Sequence, residues 1–297
     1  MLVPLDGSRL AEAVLPLVAE LGQASGATVV LLHVLERGAP AAVHGERHLR
    51  ACEEAEAYLA EVAAGLAAKG VTVETHAHEV PEGHVPRSIA AHADEEGADL
   101  IVLATHGSGG VHQMLFGSVA QQVLSLGNVP VLLARPTPEG QPPPFEPKCI
   151  LVPLDGTEFS EQALRPAASL AHLLGGGIHL VTVVPTVRTT TGELQAVAQA
   201  LPTSTRAALE LQHEEAQSYL DRVAERLRAE GVTVTTEVRR GDIPGALAEE
   251  AAEPEIGLAV VATHGHAGVR AAWAGSVTNR LLDRTRVPIL LLRLKDE

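Results

Sequence analysis

A chain of 297 residues, 46% hydrophobic and 20% charged, is long enough for two ordinary domains and apolar enough to fill their cores, which excludes a disordered chain. Its net charge of -15 repels polyanions, and no basic run or interleaved aromatic set offsets that charge, so neither nucleic acid nor an acidic membrane is an expected partner. No apolar run reaches about 18 residues, Cys52 and Cys149 lie outside any CxxC, and MLVPLDGS leaves no room for a cleavable leader, so a reducing, cytoplasmic location is expected.

Residues 2–6, LVPLD, read as a short apolar strand, and 9–25 as a helix closed by Gly26. The continuous apolar run 28–35 has strand length and should be buried on both faces. A long Ala/Glu-rich helix over 46–70 follows, with Gly70 as its stop, and then an alternating strand over 71–80. After these come a helix from Pro86, a buried strand in ADLIVLATHG, a helix from Ser118 and a last strand within 129–135. Alternation of apolar strands with helices predicts a parallel sheet covered on both faces.

The whole pattern then repeats. LVPLDGS at 2–8 returns as LVPLDGT at 151–157, and ATHG at 104–107 returns as ATHG at 262–265. The offset grows between these points, which places nine extra residues in the second copy, most of them around 184–208. Prolines in 136–147 favour an extended connection and exclude helix. The expected fold is α/β: two tandem, doubly wound, Rossmann-like sheets of five parallel strands in the order 3-2-1-4-5. The expected domains are 1–136 and 148–297, joined by a Pro-rich linker at 137–147. In each sheet the last strand, within 129–135 or 287–293, is an apolar edge that invites a partner.

Ligands of open parallel sheets bind beyond the carboxyl ends of the strands. The residues with polar or backbone-exposing chemistry collect there. Asp6 and Asp155 end the first strands, Val34 and Val183 lie near the ends of the second, and Thr105-His106-Gly107 and Thr263-His264-Gly265 follow the fourth. Gly117-Ser118 and Gly275-Ser276 open the next helix, where unpaired amides and the positive end of the helix dipole suit a phosphate. The spacing thus predicts a phosphate clamp in each copy. Structural readings stand beside it: an Asp-Gly-Ser turn needs no ligand, Gly-Ser can simply start a helix, and His106 and His264 either shape the loop or touch the ligand.

These residues resemble the universal stress protein family, whose nucleotide-binding members carry VPxDGS after the first strand and Gly-x-x-Gly, nine residues, then Gly-Ser or Gly-Thr. Here VPLDGS and VPLDGT match that context, and both loops keep Gly107 or Gly265, nine residues, and Gly117-Ser118 or Gly275-Ser276. The resemblance covers both copies almost end to end and implies an adenine nucleotide alpha hydrolase-like fold. It implies that Asp6 and Asp155 lie against adenosine, that the backbone of Val34 and Val183 meets the adenine edge, and that Gly107, Gly117, Ser118, Gly265, Gly275 and Ser276 hold ribose and phosphates. Pro4, Leu5 and Val119, with Pro153, Leu154 and Val277, complete the implied set beside His106 and His264. Alanine stands where the family has its first motif glycine, at both Ala104 and Ala262, which narrows the ribose site. Arg270, in the second spacer only, offers a cation to a terminal phosphate.

The expected ligand is therefore ATP, or AMP or ADP, with magnesium admitted alongside the nucleotide. The expected role is a regulatory, stress-response binding module. A slow ATP hydrolase or ATP-dependent transferase on the same fold, and a ligand-free dimeric interaction protein, are the alternatives. No P-loop and no nucleophile-elbow motif is present, so no catalytic residue is assigned. The resemblance also implies that the last strands pair, making the two copies an internal pseudo-two-fold dimer. A homodimer of chains and a protein partner of unknown identity are further expectations. No metal site is expected: His44, His48 and Cys52 recur every four residues, but the helix is expected to begin only near Glu46, and His76, His78 and His84 form a still weaker pattern.

Overall fold

The computed structural model describes residues 1–37, 42–43, 46–47, 49, 51–81, 83–105, 118–137, 139–143, 145–189, 202–264, 281 and 284–294. They fall into two units: the first is built from Met1–Phe145 with the C-terminal strand, the second chiefly from Glu146–Thr263.

In unit 1, β1 (Leu2–Pro4) turns into α1 (Arg9–Glu12) and α2 (Leu15–Ser25). The single helix expected over 9–25 is thus two. Pro16 has no amide hydrogen to continue α1, yet it suits the first turn of α2, where that donor would have no partner. Then β2 (Val29–Glu36) is buried from Val29 to Leu35, as a strand covered on both faces must be. The helix expected to start near Glu46 starts later. Two-residue strands β3 (Ala42–Val43) and β4 (Glu46–Arg47) pair antiparallel, and α3 spans Cys52–Ala67. Glu53 and Glu54 occupy its first turn, where the helix dipole favours negative charge, and Gly45 upstream weakens any extension. Of the His44, His48, Cys52 stripe, Cys52 opens α3, and the two histidines lie outside the described residues.

The unit continues with β5 (Val73–Val80), α4 (Val85–Glu95), β6 (Ile101–Ala104), α5 (Ser118–Leu126) and β7 (Val131–Ala134). Unit 2 repeats the plan. It comprises β8 (Cys149–Pro153), α6 (Glu158–Glu161), α7 (Leu164–Leu174), β9 (Gly177–Val184), α8 (Pro202–Ala229), β10 (Val234–Arg240), α9 (Ile243–Glu250) and β11 (Ile256–His264). The final strand of the chain, β12 (Ile289–Leu294), belongs to unit 1.

Strand order in unit 1 is β5-β2-β1-β6-β7, all parallel, which is the expected 3-2-1-4-5. Beyond β7 lies β12, antiparallel, with Ile289 opposite Leu133, Leu290 opposite Leu132 and Leu291 opposite Val131. The apolar edge noted in the sequence is thereby covered. In unit 2 the order β10-β9-β8-β11 is again parallel. Leu2, Leu31, Leu32, Ile101 and Leu133 anchor the first core, and Ile150, Leu151, Ile178 and Leu180 the second, all below 2% exposure. In unit 1, α3 packs on β2 and β5 while α4 packs on β2 and α5; in unit 2, α7 covers β8 and β9, and α8 covers β9 and β10. Among the described residues no helix is long and apolar enough to cross a membrane.

Leu132 is 2% exposed and lies opposite Leu290 in the β7–β12 ladder. Leu132→Lys should destabilise unit 1 by about 3–5 kcal/mol, the cost of an unpaired buried charge. Urea denaturation checks this, and a loss below about 1 kcal/mol would show that the ammonium reaches solvent without breaking the ladder.

Candidate functional site

The parallel ladders set the level at which each sequence-predicted residue leaves the sheet. Pro4 pairs with Leu32 and Leu2 with Ile101, so continuing the register brings Asp6 level with Val34 and with Thr105. In unit 2, Pro153 pairs with Val181 and Leu151 with Ala259, which brings Asp155 level with Val183 and Thr263. The two sets correspond position by position. Both lie at the carboxyl ends of three adjacent parallel strands, the location that Pro4, Leu5, Ala104, Pro153, Leu154 and Ala262 share.

A buried donor fixes each exit. The Leu5 carbonyl accepts from His33 Nδ1 at 2.7 Å, and the Leu154 carbonyl accepts from Thr182 Oγ1 at 2.9 Å. Because a carbonyl only accepts, this bond places a proton on Nδ1 of His33. Neither residue was singled out in the sequence, although a lone histidine in VVLLHVL and a threonine at the matching place in HLVTVV were visible signals.

The chain then turns sharply. Gly7 and Gly156 both have φ +84, a left-handed conformation that glycine adopts without a Cβ clash. Asp6 Oδ1 accepts from the Ser8 amide at 2.9 Å and the Ser8 hydroxyl at 2.6 Å, while Ser8 Oγ accepts from Ala11 N at 3.1 Å and caps α1. Asp155 Oδ1 accepts from the Thr157 amide at 3.0 Å and hydroxyl at 2.6 Å, and Thr157 Oγ1 accepts from Ser160 N at 3.2 Å and caps α6. Both aspartates are thus turn residues and helix-start organisers. In each carboxylate Oδ2 stays outside these bonds.

Other predicted residues are placed only in part. Val34 is buried in β2 and Val183 half-buried in β9. Ala104 ends β6, and the following Thr105 amide donates to the Ala134 carbonyl at 2.8 Å. Ser118 opens α5 as expected, with Val119 half-buried behind it, and the backbone of His264 ends β11. His106, Gly107, Gly117, Gly265, Arg270, Gly275, Ser276 and Val277 lie outside the described residues. An open groove of about 790 Å³ in unit 2 is lined by Cys149, Gly177, His179, Arg239, Glu250 and Ile256 among others, and not by Asp155 or Val183.

Burial alone would raise the Asp155 pKa, but hydrogen bonds from the Thr157 hydroxyl, Ser160 and the Thr157 amide outweigh it and hold the carboxyl below its usual range. A carboxyl depressed by folding adds stability above the unfolded pKa of about 3.9, and that stability is lost as pH falls through the lower folded value. Thr157→Val removes one donor, so the Asp155 pKa should move up and stability should fall less steeply on acidification. It should also cost about 1 kcal/mol near neutral pH through the lost cap. Carboxyl-carbon NMR titration is the check: an unmoved pKa would show that the hydroxyl does not stabilise the charge.

With this geometry in view, comparison with known proteins is direct. The model of the Universal stress protein family matches residues 1–135 and 147–293. Universal stress protein Sll1654 of Synechocystis is 35% identical over 134 residues, 45% of this chain and 83% of that protein. Universal stress protein YxiE of Bacillus subtilis is 28% identical over 147 residues, 46% of this chain and 97% of that protein. Among solved structures, a universal stress protein from Archaeoglobus fulgidus shares the fold over 100% of this chain and 96% of its own, with TM-score 0.69 and 21% identity. With the family model matched across both copies, the chain belongs to the universal stress protein family.

Proposed function

We propose that this chain is a regulatory module that binds an adenine nucleotide, ATP or AMP or ADP, at the carboxyl edge of each of two domains, 1–136 and 148–297, joined by the linker 137–147. The observation that carries the reading is the matched level of Asp6, Val34 and Thr105 in one unit and Asp155, Val183 and Thr263 in the other. Each set stands directly before the repeated loop. In this reading Asp6 and Asp155 offer Oδ2 to the nucleoside while Oδ1 holds the turn. The backbone at Val34 and Val183 meets the base. Gly107, Gly117 and Ser118, with Gly265, Gly275 and Ser276, hold ribose and phosphates.

Ser118 opens α5, so the amides of its first turn have no carbonyl partner within the helix and point toward the preceding loop. Their local positive potential lets a chain of net charge -15 accept a phosphate without a basic surface. Magnesium would accompany a triphosphate. Nucleotide ordering of the loops is the regulatory event, read by a protein partner. The internal pseudo-two-fold dimer of the two copies, which the family resemblance implies, belongs to the same reading. The free thiols of Cys52 and Cys149 support action in the reducing cytoplasm.

Calorimetry on the full chain tests the reading. Wild type should show two binding events with ATP; Gly117→Val should remove one and Gly275→Val the other, because a branched side chain blocks backbone approach to phosphate. With Arg270 in its spacer, the second site should favour ATP over AMP more strongly than the first. Absence of binding at millimolar ATP and AMP, or retention of both events in both variants, would make the glycines structural. Release of ADP and phosphate in a single-turnover assay would move the reading to a hydrolase.

A further inference from the structure

The sheet of unit 1 ends in a cluster that the nucleotide reading does not use. His76 stands on β5, His92 lies in the last turn of α4, and Glu96 caps that helix. A spacing of four residues brings His92 and Glu96 to one face. His76 Nδ1 is 3.0 Å from His92 Nε2 and 3.5 Å from Glu96 Oε1. All three ligand atoms lie within 4.8 Å of one another. We propose that these residues form a site for a divalent transition-metal ion of the zinc, cobalt or nickel class.

Geometry supports the assignment. Metal bonds of about 2.0–2.1 Å arranged tetrahedrally separate neighbouring ligand atoms by roughly 3.3 Å. The 3.0 and 3.5 Å edges bracket that value. Two imidazoles and one carboxylate suit zinc, cobalt or nickel better than magnesium or calcium. Side-chain exposures of 17% for His92, 32% for His76 and 34% for Glu96 leave the ligands held yet reachable, with a fourth position open to water. Surrounding groups fix the rings. His78 stacks on His92 with centroids 4.9 Å apart and bonds Ser88 Oγ at 2.6 Å, and Glu95 Oε2 lies 4.0 Å from the other ring nitrogen of His92. Such outer partners orient a metal-ligating histidine.

The ordinary alternative is a hydrogen bond between neutral imidazoles beside a solvent-screened carboxylate. Unit 2 argues against it, because the same place in its fold holds a cation. His78 pairs with Val34 and Arg239 with Val183, at matching positions of the two copies. His92 and Glu250 stand six residues after Pro86 and Pro244, each in the first turn of its helix. Arg239 Nε lies 3.1 Å from Glu250 Oε1 and its Nη1 3.2 Å from Glu237 Oε1, while His179 Nε2 lies 3.1 Å from Glu250 Oε2. Arg239 therefore fills in unit 2 the role that a metal ion would fill in unit 1. Among the described residues, the contacts joining His76, His78, His92, Glu95 and Glu96 include no lysine or arginine.

The test uses the full chain, stripped by chelator and titrated with cobalt(II) and zinc(II) chloride. Wild type should bind one equivalent of either ion in calorimetry, and cobalt should give visible ligand-field bands. His92→Ala and the nearly isosteric Glu96→Gln should each lose that equivalent, whereas His48→Ala should keep it. No stoichiometric binding by wild type, binding unchanged in both cluster variants, or binding lost in His48→Ala would overturn the proposal. Equal melting temperatures of metal-free wild type and Glu96→Gln, with a metal-induced rise in wild type alone, would separate lost ligation from misfolding.

Discussion

Each sheet depends on how its first strand is allowed to end. The carbonyl leaving that strand is turned inward, where an unmet acceptor costs about 1–3 kcal/mol, and a buried side chain of the second strand meets it. His33 does this in one unit and Thr182 in the other. Imidazole and hydroxyl differ in size and charge, so what the two copies share is a donor at one spot, not a residue type. That bond fixes the exit of the backbone. The left-handed glycine and the aspartate turn can then form at one height, and the capped helix starts where the turn releases it.

This dependence explains which parts of the fold were legible in the sequence. The run 28–35 has one outcome, because an unbroken apolar stretch of strand length satisfies its surface only between two helical layers. The repeat is what the family model matches twice, over 1–135 and 147–293, and the apolar strand within 129–135 pairs with β12. Boundaries set by a single residue were harder. Pro16 split a helix whose apolar spacing runs on unbroken, and the start of α3 at Cys52 depends on first-turn charge that an Ala/Glu-rich run blurs. Within the candidate site, the aspartates, valines and threonines could be placed by strand-end position alone. The donors His33 and Thr182 could not, since their meaning lies in a carbonyl 28 residues away. His76 and His92 are 16 residues apart on different elements, and periodicity within one element never joins them.

The outer strands show one fold position neutralised in two ways. Glu250 is 5% exposed, and an ionised carboxylate that deep is tolerated only when its oxygens are matched. Arg239 and His179 match one oxygen each, with Thr235 holding the far side of the His179 ring at 2.8 Å. Both oxygens of Glu250 thus have a partner, while Arg239 and His179 line the open groove of unit 2. Unit 1 has His92 in that helix position and sets its carboxylates at Glu95 and Glu96, nearer to solvent. Its rings are ordered by stacking and by Ser88 instead of by a fixed cation. The two copies thus diverged in how a shared pocket of charge is balanced, while the ladder beneath it kept its register.

That register also ties the cluster to the strand ends. His76 pairs with Leu32 and His78 with Val34, and Val34 is level with Asp6, so the two histidines on β5 lie two strands away from the aspartate turn that follows β1, with β2 between. Strand spacing of about 4.8 Å puts β5 and β1 roughly 10 Å apart, and His76, paired with Leu32, stands a further two residues, about 6.6 Å, below the level of Asp6. At that distance a divalent charge is screened across the exposed surface but not through the packed sheet between them. Any influence of one centre on the other would therefore pass through β2, whose backbone carries Val34 at the edge and whose His33 grips the exit of β1. In unit 2 the equivalent path starts from an arginine that cannot leave. An ion held by His76, His92 and Glu96 would therefore act on the strand ends of unit 1 along a path whose counterpart in unit 2 starts from the Arg239–Glu250 ion pair.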